Sequence, residues 1–239
     1  MLKGAVRTSV GSHFLNKMTH DAMKQADVLL KEKQVIFWDF DGVIKDSLAV
    51  KSLGFERLFL SYGKDVVKKV REHHNAHGGI SRYEKIPLYL SWAGEPVTDD
   101  QVEEFCVRFS HLVQQAVIES PWVPGVFEYL QANYTSQFFF LITATPQEEI
   151  EQILCAVDIN NFFREVHGAP TAKAMVVQDV MSRLRFNSDQ ALVVGDSATD
   201  LSAAEENNVA FLLRRTPFNQ SLQKHFHGPC FENLSSKFL

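Results

Sequence analysis

Long apolar runs are missing from this sequence. No stretch approaches the ~18 consecutive apolar residues of a membrane span, and residues 1–13 carry Lys3 and Arg7 but no apolar run of the length a secretory signal needs. Cysteine is scarce: Cys106, Cys155 and Cys230 are odd in number, widely spaced and form no CxxC pair, which excludes a disulfide framework and fits thiols kept reduced. Positive charge is not in excess either. With 24 Lys and Arg against 29 Asp and Glu, the net charge is −5, and no global footprint for nucleic acid or an anionic membrane surface results. Internal repeats and low-complexity tracts are absent. The expectation is a soluble, cytoplasmic chain, monomer or homodimer, with neither nucleic acid nor membrane as partner. What is present is ordinary globular composition, 45% hydrophobic with Phe dominating the aromatics, in 239 residues: one large domain, or one domain carrying an insertion.

Four short runs are apolar on both faces, as buried parallel strands are: Val35 to Trp38, Phe138 to Ile142, Ala191 to Val194 and Val209 to Leu213. Pro146 to Val157 and Lys173 to Leu184 read as helices between strands. This alternation predicts an α/β fold with a doubly wound parallel sheet, whose ligands sit at the strands' carboxyl ends. Residues 48–120, between the first and second strong strands, lack convincing strands and read as a helical insertion. Within it, Glu72 to Gly79 looks like a helix ending in glycines and Gly94-Glu-Pro96 like a second break; Pro121, Pro124 and Gly125 mark the return. The predicted organisation is a core of residues 1–47 and 121–239, with a helical extension over residues 1–33, and a helical cap of residues 48–120.

The end of the first strand reads Asp39-Phe-Asp41-Gly, two carboxylates two residues apart that leave a buried strand on the same side. The second strand ends in Thr143-Ala-Thr-Pro146, a hydroxyl beside a helix start whose free amides suit an anion. A glycine-proline turn, Gly168-Ala-Pro-Thr-Ala-Lys173, delivers a lysine to a helix start. The strand at 191–194 ends in Gly195-Asp-Ser-Ala-Thr-Asp200, acidic again at a carboxyl end.

In this order these four segments resemble the haloacid dehalogenase superfamily, whose motifs are an Asp-x-Asp pair, a Thr or Ser, a Lys, and a Gly-Asp-x-x-x-Asp segment. The resemblance, to the phosphoglycolate phosphatase and β-phosphoglucomutase-like members with a cap between the first two motifs, covers residues 35–213. It implies a Rossmann-like core and a Mg²⁺-dependent phosphatase acting on a small phosphorylated metabolite, a sugar or sugar-acid phosphate, through an aspartyl-phosphate. By the same resemblance Asp39 is the nucleophile and Asp41 the acid that protonates the leaving alcohol and then activates water. Thr143, the amide of Ala144 and Lys173 hold the phosphoryl oxygens. Asp39, the carbonyl of Asp41 and Asp196 hold Mg²⁺, and Asp200 orients Lys173 or a metal-bound water. An acid at position 41 separates the chain from relatives that cleave carbon–halogen or carbon–phosphorus bonds.

In the cap, Gly79-Ile-Ser-Arg82 resembles a loop that β-phosphoglucomutase-like members dip into the active site, which makes Arg82 a fork for a second anionic group, with Lys85 one turn on as a further substrate contact. Lys51 stands where resembling mutases carry a histidine and is read as substrate-binding. A phosphosugar mutase is the nearest alternative, and a non-catalytic binding protein of the same fold the one from a different class. His73 and His77, at i and i+4, lack a convergent carboxylate or cysteine and read as structural; Arg214-Arg-Thr216 reads as the end of a strand rather than a nucleic-acid contact.

Overall fold

The computed structural model describes residues 25–234. Helical turns over residues 25–32 (α1) lead into β1 (Val35–Trp38). Then come α2 (Leu48–Leu58), α3 (Lys64–Ala76), α4 (Arg82–Ala93), α5 (Asp99–Glu119), α6 (Val126–Asn133), β2 (Phe138–Pro146), α7 (Gln147–Ala156) and β3 (Glu165–Ala169). The chain continues through α8 (Lys173–Leu184), β4 (Ala191–Gly195), α9 (Ala198–Glu206), β5 (Ala210–Arg214), α10 (Gln220–His225) and β6 (Cys230–Phe231). Most of the predicted helical extension, residues 1–24, lies outside the described residues; over 25–32 Ala26 and Leu30 are buried in the core.

The six strands are parallel in the order β3-β2-β1-β4-β5-β6, so chain direction across the sheet reverses between β1 and β4. Strand geometry alone divides the core. Ile36 and Trp38 point to the face covered by α1, α6 and α7, whereas Val35 and Phe37 point to the face covered by α8 and α9, through Val176, Val177, Ala203 and Ala204. β1 is apolar all along because both faces are covered. The four strands anticipated from the sequence are present, with β5 shifted one residue. β3 and β6, the sheet's two edges, are additional.

α2 to α5 form an all-helical cap built on aromatic packing: Phe55 stacks on Phe109 with ring centroids 3.9 Å apart, and Tyr89 meets both Phe55 and Phe59 edge-on. Ser81 caps α4, and Gly94, in the left-handed region at φ 76°, ends it. The chain enters and leaves the cap through paired residues: Asp46 N donates to Pro121 O (2.8 Å) and Val123 N to Ile44 O (2.9 Å). Lys45 sits buried over the Trp122 ring, 4.3 Å from its centroid. Among the described residues no helix is long and apolar enough to cross a membrane.

Candidate active site

The carboxyl ends of β1 and β4 flank the point where strand order reverses, which is where open α/β sheets bind ligands. Asp39 follows β1 directly, its amide donating to Val194 O (2.9 Å), and Asp196 follows β4. The loop after Asp39 is pinned: Gly42 N donates to Lys45 O (2.7 Å), and Arg214, buried at the end of β5, donates to Gly42 O (2.9 Å) and Asp46 Oδ1 (3.1 Å). Arg214 thus braces the loop that follows Asp39.

Lys173 starts α8 and projects into this cluster, with Nζ 2.9 Å from Asp39 Oδ1 and 2.6 Å from Asp200 Oδ1. Asp200 is the third residue of α9, and its other oxygen takes Ser197 N (3.1 Å) and Ser197 Oγ (2.5 Å), closing a capping box. With both oxygens engaged, Asp200 serves as the anchor of Lys173. Asp39, Asp196 and Asp200 nonetheless offer carboxylate oxygens within 4.8 Å of one another, all buried. Burial pushes Asp39 up to about 7, with Asp200 and Asp41 adding to the rise and Lys173 opposing it. Asp196 is driven well above the carboxylate range by burial and by Asp39 and Asp200. Three oxygen donors that repel one another and resist ionisation suit a hard divalent cation.

Asp41 is the opposite case. Burial would raise it, but the Lys51 ammonium and hydrogen bonds from Lys51, Ser47 and Thr145 outweigh burial and hold it below 3.8. Ser47 Oγ donates to Oδ1 (2.6 Å) and Thr145 Oγ1 to Oδ2 (2.9 Å), while Lys51 Nζ bridges Asp41 Oδ2 and Thr145 Oγ1 (2.6 Å to the latter). Two carboxylates two residues apart therefore sit in opposed electrostatic settings: Asp39 favours its proton and Asp41 its charge. Thr143 and Ala144 line the same cleft from the end of β2, where the Thr143 hydroxyl accepts from Thr145 N (3.2 Å).

Over this floor the cap brings Lys51, Arg82, Lys85 and His74. Two of the three cap cations differ from expectation. Lys51 faces the Asp41 carboxylate rather than open space. Arg82 lines the cleft, but its guanidinium is not free for a ligand: Nη1 and Nη2 pair with Glu149 Oε2 and Oε1, both at 2.7 Å. Lys85 is buried against His74 Nδ1 (3.1 Å), and burial, with Lys51 nearby, lowers it to about 7. His73 and His77 stack at 4.2 Å, and His73 Nδ1 meets the Tyr89 hydroxyl at 3.0 Å.

Ser47, Thr145 and Glu149 escaped the sequence reading, and His74 entered it only as a neighbour of the His73 and His77 pair. Thr145 alone carried a signal, standing two residues beyond Thr143 on a strand and so on the same side.

Gly79 marks the seam between cap and core, where Thr199 Oγ1 donates to its carbonyl (3.2 Å) and a Cβ would collide with the Ser197 and Thr199 side chains. Ser197 is tied to Asp200 and cannot yield freely. Gly79→Ala is expected to hold the cap off the core at a cost of about 1–3 kcal/mol. Hydrogen exchange over residues 77–82 should be faster than in wild type, with far-ultraviolet circular dichroism unchanged; wild-type exchange would refute the close approach.

A sheet of this order, an acidic pair after its central strand, a lysine between two carboxylates and a helical cap define a hydrolase class, and the sequence agrees. Residues 35–213 match the haloacid dehalogenase-like hydrolase family, and the chain belongs to it. Its relatives fall among the phosphoglycolate phosphatase and β-phosphoglucomutase-like members. A phosphoglycolate phosphatase of Colwellia psychrerythraea is 24% identical over 220 residues, covering 86% of this chain and 96% of its own. A phosphorylated carbohydrates phosphatase of Thermotoga maritima is 23% identical over 187 residues, with 74% and 82% covered. In fold, β-phosphoglucomutase from Clostridium difficile superposes with a TM-score of 0.68 at 17% identity, covering 86% of this chain and 95% of that one.

Proposed function

We propose that this hydrolase, a phosphatase of its family, cleaves the phosphate ester of a small phosphorylated metabolite, a sugar or sugar-acid phosphate, by phosphoryl transfer to Asp39 and then to water. The observation that carries the reading is geometric: at the carboxyl ends of β1 and β4 a lysine is clamped between Asp39 and Asp200, with Asp196 beside them and Asp41 on the next turn of the loop. Asp39 Oδ attacks phosphorus in line. Lys173, fixed by Asp200, supplies positive charge to the phosphoryl oxygens, and Thr143 with the Ala144 amide positions them. Asp41 gives its proton to the leaving alkoxide and takes one from the attacking water in the second half. Asp39, Asp196 and the carbonyl of Asp41 would hold Mg²⁺, which when bound supplies charge neutralisation between carboxylate and phosphate. Lys85, which lines the cleft from the cap beside His74, is the cap side chain left to meet the substrate's far end. The protein works in the cytoplasm, as a monomer or homodimer, on the region from 121 onward with residues 1–47, under the cap of 48–120.

The test is a phosphate-release screen over phosphorylated metabolites with and without Mg²⁺. Release in excess of enzyme, abolished by chelator, is the expected result. Release never exceeding one equivalent, with isomerised sugar phosphate accumulating, would mean a mutase, and no turnover even of an aryl phosphate would mean a binding protein. Mg²⁺ should also raise the melting temperature, by mass action on the folded state; a melting temperature indifferent to Mg²⁺ would deny the cation site.

A further inference from the structure

The Arg82–Glu149 pair spans the junction between cap and core. Arg82 opens α4 in the cap, whereas Glu149 lies in the first turn of α7, the helix that follows Thr143, Ala144 and Thr145. Both side chains are almost fully buried, at 3% and 5% exposure. The pairing is bidentate, and a third residue closes it: Ser110 of α5 accepts from Arg82 Nη1 (2.6 Å) and donates to Glu149 Oε2 (2.5 Å). The guanidinium also lies over Phe109, 4.6 Å from the ring centroid. Every feature of an anion-receiving arginine is present, and the anion is supplied by the protein itself.

The cleft beneath is narrow: the space free to water-sized molecules is ≈ 40 Å³, less than a phosphate ester needs, so with the cap seated this closely substrate entry calls for the cap to shift and reseat afterwards. Besides Arg82 with Glu149, the seam is held by Lys51 on Asp41 and Thr145, by Thr199 on Gly79 and by Gln114 on Gln152 (2.7 Å). Of these, the Arg82–Glu149 pair alone combines two full charges, a bidentate fit and burial at a distance from the reacting carboxylates.

We propose that Glu149 is a positioning residue that stands in for a second anionic group of the substrate: by filling the Arg82 fork it seats the cap over Asp39 and Asp41, so closure needs no charge at the substrate's far end. The proposal rests on the phosphatase reading for its kinetic tests but not for its structural one. Substrates with an uncharged far end are then closed upon as readily as charged ones. Remove the Glu149 carboxylate and closure becomes conditional on an anion from elsewhere, either the substrate or the solvent.

The decisive experiment compares wild type with Glu149→Ala on glycerol 3-phosphate and 3-phosphoglycerate, esters that differ at the far end in an alcohol against a carboxylate, with and without added acetate. Glu149→Ala is expected to lose at least about tenfold in kcat/KM on glycerol 3-phosphate, to lose clearly less on 3-phosphoglycerate, and to regain activity on the first ester as acetate is added. Glu149→Asp should rescue in part. Equal losses on both esters with no acetate rescue would overturn the proposal, since a merely structural role moves both alike. If Glu149→Ala fails to fold, Arg82→Met/Glu149→Leu removes both charges together; full wild-type activity of that double variant on both esters would equally overturn it. Hydrogen exchange over residues 82–93 reads the seat without turnover. Faster exchange in Glu149→Ala than in wild type is expected, and unchanged exchange counts against the latch. If wild type hydrolyses no phosphate ester at all, the phosphatase reading fails while the exchange result still decides the latch.

Discussion

Asp39→Asn is expected to abolish phosphate release, by several orders of magnitude in kcat/KM, and to raise the stability of the metal-free protein at the same time. The first effect follows from the loss of the attacking oxygen, which leaves only binding and positioning. The second follows from linkage. Below its ordinary value of 3.8 Asp39 is protonated folded or unfolded; between there and about 7 only the folded chain keeps the proton. Stability therefore falls as pH rises through that window, because ionisation favours the unfolded state. Asparagine removes the loss, so in chelator at pH 8 the variant should melt higher than wild type by about 5 °C. A variant that releases phosphate at the wild-type rate would end the aspartyl mechanism, and one that melts lower would contradict the crowded carboxylates.

The second large effect concerns Asp41. Asp41→Asn should hydrolyse alkyl phosphates about 10²–10⁴-fold more slowly while retaining much of the rate of phosphoryl transfer from an aryl phosphate, whose leaving group needs no proton. Rapid-quench measurement of the aryl alcohol burst separates the transfer from the later attack by water. Equal loss of the burst for aryl and alkyl esters would remove Asp41 from the acid role. The structure adds a requirement: with Lys51, Ser47 and Thr145 all on its oxygens, Asp41 is held ionised where it sits. To carry a proton it must exchange the Lys51 contact for one to the ester oxygen. Lys51, expected as a substrate contact, is then a partner of the acid.

The central strands were legible because burial on both faces writes itself as unbroken apolar runs, as in Val35 to Trp38 and Ala191 to Val194. The edges were not. β3 contains Glu165 and His167 and is half exposed along its first residues, and β6 is two residues long, so neither shows that signature. The candidate site positions were read from motif order and from the ends of strands, and the fold brings them into one cleft. Asp200's contact with Lys173 was expected from the motif, and its second tie, the helix cap, is legible in the capping-box spacing of Ser197 and Asp200. The partners were hidden for a different reason. Arg82 declares a fork but not what fills it, and Glu149, 67 residues away, is one of two acidic residues in a helix's first turn. Such pairs exist only once the fold has brought the elements together.

The ribbon at the base of the cap has an implication for how this chain was assembled. Its two crossing segments, residues 44–46 and 121–123, are bonded to each other, so what lies between them is a loop whose ends already meet. The entropy of closing such a loop grows only with the logarithm of its length. The core thus tolerates exchange of the intervening helices almost independently of their size, while the carboxylates at the strand ends stay where the sheet holds them.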